Sequence, residues 1–171
     1  MYFNDELIGF FQRHNLYEKD MFDYFSKNST MIDYRDEDQR MFIGTFYGIN
    51  RHNNKLVYIH INVPFIYDNK TMLINIHEFV HAILLYKYIN KNFKMGMDYE
   101  ALPMLYEKIF INEVNSKEII EYGKWLDSLI TTKNEEYIFG LNVRDELLEN
   151  YDYNIDKMKK LVKKLAKKYK S

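Results

Sequence analysis

The segment Thr71-Met-Leu-Ile-Asn-Ile-His-Glu-Phe-Val-His-Ala-Ile-Leu-Leu-Tyr-Lys-Tyr88 constrains this chain more than any other. Its apolar residues recur with the period of an α-helix, and Ala82-Ile-Leu-Leu85 continues a face that must be buried. Pro64 ends the segment before it, and the polar bend Asp68-Asn69-Lys70 leads into it, so a helix is expected from about Thr71 to Tyr88. That helix carries His77, Glu78 and His81. Positions four apart on a helix differ by only about 40° around the axis, so both imidazoles project from one face and can share a metal. Glu78 lies one residue round from His77, where it can serve a water activated by that metal. Its setting inside an apolar-periodic helix, with uncharged Phe79 and Val80 between the polar residues, separates the pattern from a chance run of surface residues.

The rest of the chain limits how such a metal can be held. Cysteine is absent, so thiolate ligands, a cysteine nucleophile and a disulfide framework are all excluded. Nitrogen and oxygen remain as ligand atoms. A catalytic zinc takes three protein ligands and keeps one position open. No histidine follows His81, so the third ligand is expected to be a carboxylate, with Asp98, Glu100 and Glu107 as the candidates on the next helix. Glu100 and Glu107 are seven residues apart and share a helical face. We read Glu100 as the ligand and Glu107 as its support, orienting a ligating histidine. His52 and His60, alone in a turn and a strand, receive no role.

Around this helix the pattern predicts a mostly helical α+β fold in one domain of 171 residues. Residues 1–40 read as a helical cap, because Leu7, Phe10, Phe11, Leu16, Met21, Phe22 and Phe25 recur at spacings near three and four. An antiparallel hairpin is expected from residues 40–48 and 55–63, joined by the polar turn 50–54. A loop over 90–97 precedes a helix capped by Asp98 and running to about Ile111, with Pro103 awkwardly inside it. Further helices are expected near 117–130, 134–150 and 154–169. The core thus spans 41–150, and 151–171 forms a basic amphipathic tail.

In that tail Ile155, Met158, Leu161, Val162, Leu165 and Tyr169 make an apolar stripe opposite eight lysines. It can pack on the core or contact an acidic membrane surface or a partner. The net charge of −1 leaves the remainder distinctly acidic, which argues against nucleic acid as the partner. No apolar run is long enough to span a membrane and the amino terminus lacks a basic signal region, so a cytoplasmic location is expected.

Three blocks, in order, resemble the thimet oligopeptidase and oligoendopeptidase F family of gluzincin zinc peptidases. Gly44-Thr-Phe-Tyr47 with Val57-Tyr-Ile-His-Ile-Asn62 is similar to the family's hairpin before the active-site helix. Leu73-Ile-Asn-Ile-His-Glu-Phe-Val-His-Ala82 resembles its HEFGHA block, and Tyr99-Glu-Ala-Leu-Pro-Met-Leu-Tyr-Glu107 resembles its Glu-x-Pro-Ser-Gln block. The resemblance covers about residues 40–150 and implies a zincin-like core with one zinc per chain. It makes His77, His81 and Glu100 the ligands and Glu78 the general base. The chain departs from the family in Val80 for glycine, in Pro103 standing one place late, and in lacking both Ser-Gln and a downstream histidine. Oxyanion stabilisation, if it follows the family, then falls to a tyrosine, and Tyr137 in Tyr137-Ile-Phe-Gly140 is the candidate.

The expected function is zinc-dependent hydrolysis of peptide bonds, with a peptide or protein substrate laid along the hairpin's edge strand at Gly44, Thr45 and Phe46. One alternative resembles the phage-type ImmA and IrrE regulatory proteases, which cut a single repressor, although their Ala-rich helix is missing here. Another is a zinc-binding interaction module without catalysis, against which the intact Glu78 argues.

Overall fold

Alternation of buried and open positions along Leu56–Pro64 makes this strand (β3) the centre of a small sheet, with Ile59, Ile61 and Val63 buried on one face. The structure, a computed structural model, describes residues 3–33, 42–53, 55–89, 96–130 and 134–170. Part of the expected N-terminal cap (34–40), the start of the expected hairpin (40–41), Asn54 in its turn and most of the expected loop (90–95) lie outside the described residues. The chain divides into two compact units, Met1–Lys94 and Met95–Ser171. Among the described residues there are seven helices and three strands, and no helix is long and apolar enough to cross a membrane.

The first unit holds α1 (Asp5–Arg13), α2 (Lys19–Lys27), β1 (Ser29–Ile32), β2 (Gly44–Ile49), β3 and α3 (Asn69–Tyr88). The expected hairpin is present: β2 runs antiparallel to β3, with Gly44 opposite Asn62, Thr45 opposite Ile61 and Phe46 opposite His60. The expected all-helical cap is corrected. Residues Ser29–Ile32 form a strand parallel to β3, in the order β1-β3-β2. Four residues are too few to set up a visible alternation, and β1 is held by a partner some thirty positions away, which no local pattern announces.

α3 packs on β3 and β2. Its start is fixed by a capping box: the Thr71 amide donates to Asp68 Oδ1 (2.9 Å) and the Asp68 amide to Thr71 Oγ1 (3.1 Å). Buried Asn75 then donates to both the Pro64 carbonyl and the Thr71 carbonyl (2.9 Å each), tying the first turns of α3 to the end of β3. Rotation of the helix is set by Phe79. Its ring stacks on Phe22 (6.2 Å between centroids) and meets Phe3, Phe11 and Phe25 within an aromatic core supplied largely by α1 and α2.

The second unit contains α4 (Ala101–Val114), α5 (Lys117–Leu129), α6 (Glu135–Glu149) and α7 (Ile155–Lys170). Asp98 does not cap α4. It sits in a turn, and Glu100 occupies the cap position. Pro103 is thereby the third residue of the helix, where no intrahelical acceptor waits for its missing N–H, and the awkwardness disappears. α4 ends on Asn115 in the left-handed conformation, its amide closing on the Ile111 carbonyl. α6 lies close on α4 because Gly140 has no side chain, and a Cβ there would stand 2.6 Å from Met104 Sδ. In the tail helix, Ile155, Met158, Val162 and Leu165 are buried in this unit's core, so the central part of the apolar stripe is a packing face.

One ion pair in the second unit is built differently from the rest. Arg144, whose side chain is 11% exposed, forks onto Asp127 through Nη1 (2.9 Å) and Nη2 (2.7 Å). Burial works against this cation, but the hydrogen bonds and charge of Asp127, with the charge of Glu107 behind them, more than offset it and hold the guanidinium above its usual pKa. Asp127→Asn should therefore cost about 2 kcal/mol of stability, because it strands a largely buried charge. Asp23→Asn, which removes only the exposed partner of Lys19, should cost clearly less, because solvent screens that pair. Urea denaturation of the two variants measures the contrast, and equal losses would refute it.

Candidate metal centre

Because Phe79 and the flanking apolar residues turn inward, the opposite side of α3 presents His77, Glu78 and His81 together. His81 is buried (3% exposed), while His77 and Glu78 are half-buried. The two rings lie 4.8 Å apart, nearly edge to face, with their Nε2 atoms 3.2 Å from one another. Two ligands on a tetrahedral zinc, each at about 2.05 Å, are separated by about 3.3 Å. The pair is therefore already spaced as a chelate. The same distance also suits an N–H···N hydrogen bond, so one tautomer pairing engages both Nε2 atoms without a cation.

The carboxylate partner is Glu100, at the cap position of α4 and 5% exposed. Its side chain makes no capping hydrogen bond to the helix amides, although it stands at the positive end of the helix. A carboxylate removed from water needs a cationic or hydrogen-bonding partner. His77, His81 and Glu100 each offer one ligand atom, and these atoms all lie within 4.8 Å of one another, so the group can hold a metal ion. Two imidazole nitrogens and one carboxylate oxygen form a donor set suited to a borderline transition-metal cation.

None of the remaining candidates is among the three residues of this group. Glu107 is half-buried on α4 and contributes its charge to the field at Arg144. Tyr137 is half-buried in the first turn of α6. Gly44, Thr45 and Phe46 lie on β2, an edge strand of the described sheet. The space above Gly44 belongs to Phe46, whose ring would stand 3.3 Å from an added Cβ. Thr45 points to the opposite side of β2, where its hydroxyl meets Glu78 twice: Oγ1 is 2.9 Å from the carboxylate Oε2 and 2.8 Å from the backbone carbonyl. Reading the sequence placed Thr45 on the strand but missed this contact. The two residues are 33 apart, and no spacing rule links a strand hydroxyl to a helix carboxylate.

Compared with models of known protein families, with curated proteins and with solved structures, the chain matches none.

Loss of a ligand should weaken metal binding more than loss of a neighbour that only orients one. In competition with a chromophoric chelator, His77→Ala, His81→Ala and Glu100→Ala should each lower Zn²⁺ affinity more than about 100-fold, whereas Glu107→Ala should stay below that figure. A Glu100→Ala protein that binds like wild type would remove Glu100 from the group.

Proposed function

We propose that the chain is a zinc-dependent peptidase with a zincin-like centre of the gluzincin type. The observation that carries this reading is the grouping of the His77, His81 and Glu100 ligand atoms within 4.8 Å of one another, with Glu78 next to His77 on the same helix. The donor set suits zinc, and the absence of cysteine fits a hydrolytic centre better than a purely structural one, since structural zinc sites draw heavily on thiolates.

A zinc ion supplies Lewis acidity there, raising the acidity of water and polarising a peptide carbonyl. The chain's own residues do the rest. His77 and His81 fix the position of the cation relative to Glu78, because all three leave the same rigid helix turn. The Glu78 carboxylate takes the proton from the attacking water and can return it to the leaving amine. The edge of β2 at Gly44, Thr45 and Phe46 offers backbone amides and carbonyls to an extended peptide, which aligns the scissile bond by strand addition. Tyr137 is the proposed hydrogen-bond donor to the oxyanion.

Replacing Glu78 by Gln keeps size and helix propensity while removing the base. The variant should bind zinc as wild type does and cleave an internally quenched peptide library about 10²- to 10⁴-fold more slowly. Equal rates for the two proteins would refute the role of Glu78. Stoichiometric zinc without cleavage of any peptide by wild type would replace the peptidase by a zinc-binding module.

A further inference from the structure

Glutamate is a poor choice for a fixed base unless something holds it, because three side-chain torsions separate its carboxylate from the backbone. Glu78 is half-buried, and its helix turn alone does not determine where the carboxylate points. The contact from β2 does. Thr45 is itself rigidly placed: it pairs with Ile61 in the sheet, Ile61 is fully buried, and a β-branched residue in a strand has little freedom at χ1. Its Oγ1 lies 2.8 Å from the Glu78 carbonyl and 2.9 Å from Glu78 Oε2, so one hydroxyl touches both ends of the same residue. The backbone contact fixes how far β2 stands from the helix turn. The carboxylate contact then fixes the side chain relative to that turn.

From this we infer that Thr45 is a positioning residue for Glu78: it occupies Oε2 and leaves Oε1 as the oxygen available to accept a proton. The hydroxyl has a single proton for two acceptors, so it donates to the carboxylate or to the carbonyl in turn while the oxygen stays in place between them. The arrangement also joins the two halves of the proposed site. Thr45 belongs to the edge strand whose backbone would align a peptide, so the same residue sets the spacing between peptide and base. This catalytic use rests on the peptidase reading, whereas the hold on the carboxylate does not.

The test uses Thr45→Val, which keeps the shape and strand propensity but not the hydroxyl, and Thr45→Ser, which keeps the hydroxyl. In the full-length zinc-free protein, three-bond couplings from ¹⁵N and ¹³C′ to ¹³Cγ of Glu78 report its χ1. Wild type and Thr45→Ser should show one rotamer and Thr45→Val averaged values. With zinc and the best-cleaved peptide of the quenched library, Thr45→Val should lose roughly 10- to 100-fold in kcat with KM and zinc affinity unchanged, and Thr45→Ser should recover most of the loss. A mere tie between strand and helix would lower thermal stability but leave the couplings and kcat alone. A single Glu78 rotamer in Thr45→Val, or wild-type kcat in that variant, overturns the inference. If wild type binds zinc yet cleaves no peptide, the peptidase reading fails, and the couplings alone decide whether Thr45 holds the carboxylate.

Discussion

Burying an imidazole in the middle of an apolar helix is unfavourable unless its ring nitrogens are engaged, and much else in the first unit follows from how α3 meets that demand. Phe79 is drawn into the aromatic core of α1 and α2, and its burial fixes the rotation of the helix. His77 and His81 are thereby turned to a common side, where their Nε2 atoms come within 3.2 Å. One Nε2 can donate to the other, or, with that proton moved to Nδ1, both can offer a lone pair to a cation. Apolar packing and polar chelation are two faces of one rotational setting.

The length of α3 and its anchors make that setting stiff. Asp68 and Thr71 close its first turn, Asn75 fastens it to the end of β3, and Thr45 reaches it from β2. Two separate polar ties, from Asn75 and from Thr45, thus hold the helix against the sheet, in addition to the packing of α3 on β3, whose Ile59, Ile61 and Val63 are buried. The histidine pair on such a scaffold can keep its spacing without a cation present, which lowers the cost of ordering when one binds.

Most of this was legible in the sequence because periodicity is a local property. The apolar repeat of residues 71–88 gave the site helix, and the seven-residue spacing of Glu100 and Glu107 gave two carboxylates on one face. In the structure Glu100 groups with the two histidines, and Glu107 adds its charge to the field at Arg144. What stayed hidden was non-local. β1 is a four-residue strand defined by its partner, and Thr45 meets Glu78 through the fold alone. The start of α4 was misread by two residues because Asp98 is a common capping residue, whereas Glu100 takes the cap position without a capping hydrogen bond.

In the proposed centre, two imidazoles and one carboxylate of this chain hold a single zinc ion with a position left for solvent. Zinc-edge X-ray absorption on protein loaded with one equivalent of zinc addresses it directly. Such a centre should show four nitrogen or oxygen neighbours at about 2.0–2.2 Å with the multiple-scattering signature of two imidazoles. A shell of six oxygens without imidazole scattering, or failure of the protein to retain zinc at all, would contradict it.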